Sequence, residues 1–200
     1  METLKENIIK AYNIAKETGA DSTCKVLEAL YPDIEFTPQD NRPVTERIKT
    51  FEDAIKALGE DHIFVLQYKT IVDELRAMEQ DNNAYDTIAY LKLRIIAAAL
   101  NEGWTPKFTE DEQRWYPWFV LWTDEELATK SEKWKQDHCL RSTDEFDTAY
   151  AGLAYATSSY APSGTDAGVG SRLCFKSGTL ATYAGQQFID LWMDFYLIRK

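Results

Sequence analysis

His138 and Cys139 are neighbours, and imidazole and thiolate are both ligands for a zinc-like ion. Two ligands do not make a site. No further His or Cys stands at ligand spacing and His62 is remote, so neither a metal nor a cofactor is expected. Asp190 and Asp194 stand four apart, where one helix face could present a carboxylate pair for acid–base work. A solvated helix face gives the same spacing, and no histidine lies near them in sequence. Ser158, Ser159, Ser163 and Ser171 include no G-x-S-x-G elbow. The stretch "SGTDAGVGSR" (163–172) is rich in glycine, but it lacks the Gly-Lys-Ser/Thr ending of a phosphate loop and fits no dinucleotide fingerprint. It reads as a tight turn. Backbone N–H groups around Gly170 and Ser171, with Arg172 and Lys176 on one face of the strand that follows, could hold a small anion or nucleotide. No local catalytic pattern survives, and a non-enzymatic role is expected, although dispersed catalytic residues would leave no such pattern.

The densest cluster is aromatic. "RWYPWFVLW" (114–122) holds Trp115, Tyr116, Trp118, Phe119 and Trp122. β-branched and aromatic bias marks a strand, in which neighbours point to opposite faces. Odd positions give Trp115, Pro117, Phe119 and Leu121; even positions give Tyr116, Trp118, Val120 and Trp122. Both faces are apolar, so both want cover. Burying one large side chain stabilises by roughly 1.5–3 kcal/mol, which makes a core role for most of these rings the first expectation. Pro117 cannot donate a ladder hydrogen bond and predicts an edge strand or a bulge. Trp118, Trp122 and Tyr116 share the even face and are the protein-binding candidates, with Trp118 and Trp122 the pair placed to stack on a partner.

Elements must position these residues. Leu4, Ile8, Ala11, Tyr12 and Ala15 predict a helix over 3–18, stopped at Gly19. A second helix is predicted over 22–30 with Val26, Leu27 and Leu30 inward. "YPDIEFTPQDNRP" (31–43) reads as a linker. Residues 1–43 are thus expected to be a helical hairpin and linker, too small to bury a core alone, with the main domain at 44–200. In that domain, helices are predicted over 44–58 (Ile48, Phe51, Ile55, Leu58), 62–79 and 84–102 (Ile88, Leu91, Ile95, Ala98, Ala99). "TDEE" (123–126) opens a charged helix to about 137. Strands are expected near 115–122, 150–157 and 171–176. Ser177 caps a closing helix with Leu180, Ala184, Phe188, Leu191 and Phe195 inward. The fold class is α+β: a helical layer of about three helices, plus the N-terminal hairpin, packed with a small antiparallel sheet of about three strands and a C-terminal helix.

The 200 residues carry a formal net charge of −11. Residues 140–200 hold five Lys/Arg and six Asp/Glu, net −1, so residues 1–139 carry about −10. Such a field repels phosphate backbones and anionic membranes, and argues against nucleic-acid or lipid binding while suiting a basic protein partner. No run approaches the ~18 apolar residues of a membrane span. Cys24, Cys139 and Cys174 form no disulfide framework, and a reducing cytoplasm is the expected compartment.

Three segments, "VTERIKTFEDAIKALG" (44–59), "YLKLRIIAAALNEGW" with "RWYPWF" (90–119) and "SRLCFKSGTLATYAGQQFIDLW" (171–192), together resemble a family of small uncharacterised proteins encoded by tailed phages and prophages of gut Bacteroidales. The resemblance implies a phage gene product acting in a bacterial cytoplasm or in a virion. It assigns no catalytic residue and no ligand. The expectation that follows is an accessory protein that binds a host or phage protein, an acidic inhibitor of a host defence protein being one version. The alternatives are a minor virion or assembly protein, and a small-anion or nucleotide binder using 164–176. Oligomeric state is left open.

Overall fold

Strong helix caps and an apolar aromatic strand set the architecture. It was obtained as a computed structural model that describes residues 2–34, 36, 42–107, 109–162 and 171–200. The chain divides into two units, Met1–Arg42 and Pro43–Lys200.

The first unit is a helical hairpin, α1 (Glu2–Glu17) and α2 (Asp21–Leu30). Gly19 turns between them at φ +70°, a conformation that suits a residue without Cβ. Its core is Ile8, Tyr12, Ala15, Cys24 and Phe36, with the Tyr12 and Phe36 rings stacked at 4.6 Å. The predicted inward face of α2 is corrected. Cys24 and Leu27 pack inward, whereas Val26 and Leu30 are exposed. The stripe runs from Ala20 through Cys24 and Leu27 to Tyr31, one residue out of phase with the predicted one. The Tyr12 hydroxyl donates to Glu28 at 2.6 Å, and this bond to a carboxylate pushes the phenol up to about 12.

The second unit mixes helices with a sheet. Its first helix is broken in two, α3 (Val44–Arg47) and α4 (Phe51–Leu58). Thr50 is the reason. Its hydroxyl accepts from the Asp53 N–H while the Asp53 carboxylate accepts from the Thr50 N–H, a capping box that starts a new helix. Helix α5 (Ile63–Ala77) follows, its N-terminus capped by His62, then α6 (Tyr85–Asn101). Leu91, Leu93, Ile95, Ile96, Ala97, Ala99 and Leu100 are all buried, so α6 is apolar on more than one face. It packs against α4, α5, the C-terminal helices and the 3-10 turn at Ser171–Leu173, and is the centre of the main core.

The sheet has three antiparallel strands: β1 (Gln113–Trp122), β2 (Arg141–Ser142) and β3 (Gly152–Pro162), in the order β1-β3-β2. The predicted third strand at 171–176 is corrected. Ser171–Leu173 is a 3-10 turn, and Phe175 alone bridges to Trp115. Leu173, Cys174 and Phe175 are buried in succession, which a strand with one solvated face would not give. The two-residue β2 takes the third place. A bulge interrupts the β1–β3 ladder: Trp118 pairs with Thr157 but Phe119 pairs with Tyr155, leaving Ala156 as the extra residue. Inward positions on β3 therefore change parity there. Leu153 and Tyr155 are buried below it. Above it Ser158 and Tyr160 lie on the side of Trp115, with the Trp115 and Tyr160 rings at 5.1 Å.

The charged stretch after β1 is also two helices, α7 (Asp124–Ala128) and α8 (Glu132–Asp137), because Thr123 and Ser131 each accept a capping bond from the third residue of a new turn. Residues 178–196 divide likewise into α9 (Gly178–Gln187) and α10 (Ile189–Tyr196). The break at Phe188 turns Trp192 inward, 2% exposed, where its indole N–H donates to the Ala184 carbonyl at 3.1 Å. The predicted inward Leu191 is half-buried against the same core, but running one helical period through the bend left Trp192 out of the predicted set. Among the described residues no helix is long and apolar enough to cross a membrane.

Candidate functional site

The two faces of β1 have different fates. Its odd face is covered by α9 and α10. Pro117 and the Tyr155 ring lie so close to Gly185 that a Cβ there would come within 2.7 Å of each. Trp115 lies against Gly178, and Phe119 joins a ring cluster with Tyr155, Trp192 and Tyr196 at centroid distances of 5.8–6.0 Å. The even face is covered only at its end. Trp122 meets Trp134 of α8 edge to face at 5.1 Å, and the Lys130 ammonium lies 4.6 Å from the Trp122 ring and 5.1 Å from the Trp134 ring. His138 stacks on Trp134 at 4.1 Å. Trp122 is therefore already engaged, Tyr116 is half-buried, and Trp118 stands 59% exposed. The predicted Trp118/Trp122 pair does not form an open platform.

The edge of β1 supplies what the face does not. Trp115 exchanges both backbone bonds with Phe175, at 3.0 and 2.7 Å. Alternate residues of an antiparallel strand point their N–H and C=O groups to the same side. The groups of Phe119 and Leu121, and the Pro117 carbonyl, therefore point away from β3 as those of Trp115 do. Ala151 confirms the alternation from the other end, donating to the Trp122 carbonyl at 3.0 Å. Among the described residues nothing pairs with this side of 117–121. Pro117 sits where its missing donor costs no ladder bond. Along the same edge runs a groove of about 570 Å³ lined by Trp118, Phe119, Leu121, Leu153, Tyr196 and Leu197, among others. The chain beyond α10 does not fill it. Residues 198–200 pair instead with 145–147, through Ile198 with Asp147 and Lys200 with Glu145.

The four anion-binding candidates separate. Gly170 lies outside the described residues, as does most of the predicted turn, and Ser171 opens the 3-10 turn. Lys176 leaves Arg172 and donates to Glu102 at 3.0 Å, where Arg47 also binds. The Lys176 bond and charge, with those of Arg47, hold the Glu102 carboxyl below its usual range. Asn101, 5% exposed, fixes this segment: its amide donates to the Cys174 carbonyl and accepts from the Lys176 N–H, both at 2.9 Å. Burial pushes the Cys174 thiol up to about 11, which keeps it protonated and unreactive. Arg172 lines a different cavity, with Arg94 and Trp104, neither of which the sequence had singled out.

Asp190 and Asp194 are each matched by an arginine rather than by one another, Arg141 at 2.8 Å and Arg199 at 2.6 Å. The His138 Nδ1 lies 2.9 Å from the Trp134 carbonyl. Among the described residues no group of three His, Cys, Asp or Glu side chains could hold a metal ion. Comparisons with protein-family models, with curated proteins and with solved structures give no match.

Proposed function

We propose that this protein works by binding another protein, which adds an extended segment to the open edge of β1. The observation that carries the reading is the unpaired side of 117–121, where strand groups without a partner lie beside an apolar groove and an exposed Trp118. Charge defines the segment further. Glu110, Asp111 and Glu112 precede the strand, and Asp124, Glu125 and Glu126 follow it. An apolar edge between two acidic triplets suits a strand with apolar alternation and Lys or Arg at both flanks. In the setting we propose, a phage or prophage product engages a host or phage protein in the bacterial cytoplasm, and interference with a host defence protein is one form of that engagement.

Amide hydrogen exchange tests the reading. In the free protein the Phe119 and Leu121 amides exchange faster than those of Trp118 and Val120, which face β3. A basic-flanked strand peptide slows Phe119 and Leu121 selectively, and raised salt reverses the effect. Trp118→Ala leaves stability within about 0.5 kcal/mol because the ring is exposed, and weakens the peptide by about tenfold or more if Trp118 anchors it. Equal exchange of all four amides with and without peptide would refute the edge. Protection that appears only at high concentration of the protein alone would assign the edge to a second copy.

A further inference from the structure

The chain has an excess of acid, 33 Asp and Glu against 22 Lys and Arg. Arg47, Lys69, Lys135, Arg141, Lys176 and Arg199 each pair with a carboxylate. Arg94 and Arg172, like Arg76 and several lysines, do not, but these two share a cavity. Among the described residues neither forms an ion pair or a hydrogen bond, yet both line one cavity of about 460 Å³. Arg94 projects from α6, where its guanidinium lies 4.1 Å from the Phe64 ring centroid and 5.8 Å from that of Tyr90. Those ring faces attract the cation but leave its N–H fork without an acceptor. Arg172 comes from the 3-10 turn on the opposite side in sequence, and its side chain is exposed. Trp104, Pro106, Ala97 and Ala98 supply an apolar wall. Asn101 also lines the cavity, with its amide already committed to Cys174 and Lys176.

We infer that this cavity is a binding site for a small organic anion with a flat aromatic body, its acid group held by Arg94 and Arg172 and its ring laid against Trp104. The volume falls within the range of small-molecule pockets, roughly 300–1,000 Å³. Guanidinium forks match the paired oxygens of a carboxylate or a phosphate, and two of them facing one apolar space select an acid with an apolar body. A long polyanion is disfavoured by the surrounding negative charge, which a single small anion meets only locally. The site shares no lining residue with the β1 edge, so either can fail without the other.

Calorimetry on the full chain with adenosine monophosphate, 1-naphthoate, adenosine and inorganic phosphate tests the inference, with the Trp104 indole N–H resonance, assigned through Trp104→Phe, as the local readout. The expected result is saturable binding of the nucleotide or the naphthoate below about 10 mM, a moving Trp104 resonance, and binding at least about tenfold weaker for adenosine and for phosphate alone. Tight nucleotide binding with weak naphthoate binding assigns a phosphate acid group, and the reverse assigns a carboxylate. Arg172→Gln, at an exposed position, keeps the fold and reduces affinity by about tenfold or more. Arg94→Gln does the same if its circular dichroism is native. No binding by any of the four compounds, binding unchanged in Arg172→Gln, or binding that leaves Trp104 unmoved would overturn it.

Discussion

Asn101 is the residue on which the junction between α6 and the 174–176 segment turns. It is buried and its amide is used in both directions, as donor to Cys174 and acceptor from Lys176. Removing it strands a buried carbonyl and a part-buried N–H, so Asn101→Ala is expected to cost about 1–3 kcal/mol, read by urea denaturation. Glu102, the next residue, makes the junction sensitive to acid. Its carboxyl is held below the ordinary value of 4.5, chiefly by the Lys176 bond. A depressed acid stabilises the fold above its unfolded pKa, and that contribution is lost as the pH falls through the folded value. The difference in melting temperature between the native chain and Glu102→Gln should therefore reach its full size above about pH 6 and vanish well below 4.5. The contribution is small because the side chain is 44% exposed.

At the scale of elements, α9 crosses the β1–β3 pair at a distance that only a residue without a side chain permits. A Cβ at Gly185 would stand 2.7 Å from both Pro117 and the Tyr155 ring. Gly185→Ala is expected to destabilise by about 1–3 kcal/mol despite its better helix propensity, with thermal melting as the check. Sequence periodicity located α1, α5 and α6 to within a residue or two at most ends, and it marked 115–122 as a strand. It failed where a local cap or a bend outranked the hydrophobic period. Thr50, Ser131 and the bend at Phe188 each split what reads as one helix. The segment 171–176 alternates in sequence like a strand, yet tertiary burial of Leu173, Cys174 and Phe175 together overrides it. The apolar character of β1 was legible, but which ring stays open was not. That choice is made by Trp134 of α8 and Lys130 of the bend before it, which lie 12 and 8 residues beyond Trp122 in a segment whose packing no period predicts. Arg94 and Trp104 were hidden for the same reason, one within a helix and one in a turn, meeting Arg172 only in space.

For the whole molecule, the division at residues 42 and 43 separates very unequal cores. Residues 43–200 contain α6 and its surroundings, with many fully buried side chains. The first unit buries five. A chain of residues 43–200 is expected to unfold cooperatively with a native near-ultraviolet spectrum, whereas residues 1–42 alone are largely unfolded in water, since units below roughly 40 residues rarely bury enough surface. Circular dichroism of the two fragments checks both statements. The charge is unequal too, with about −10 carried by residues 1–139, so contacts with a cationic partner should weaken with ionic strength on the length scale of about 8–10 Å that salt leaves unscreened.

Ala156 adds one unpaired residue to β3 beside the point where Trp118 gives way to Phe119. Shortening the chain by that single alanine removes no buried ring and no charge. It nevertheless forces 157–162 either to slide along β1 by one place or to rotate every side chain to the other side, taking Ser158 from Thr182 and Tyr160 from Trp115. Excising Ala156 should thus cost more stability than replacing it with valine or serine. Comparing the denaturation midpoints of the three variants would show whether the count of residues, rather than their chemistry, is what that strand cannot spare.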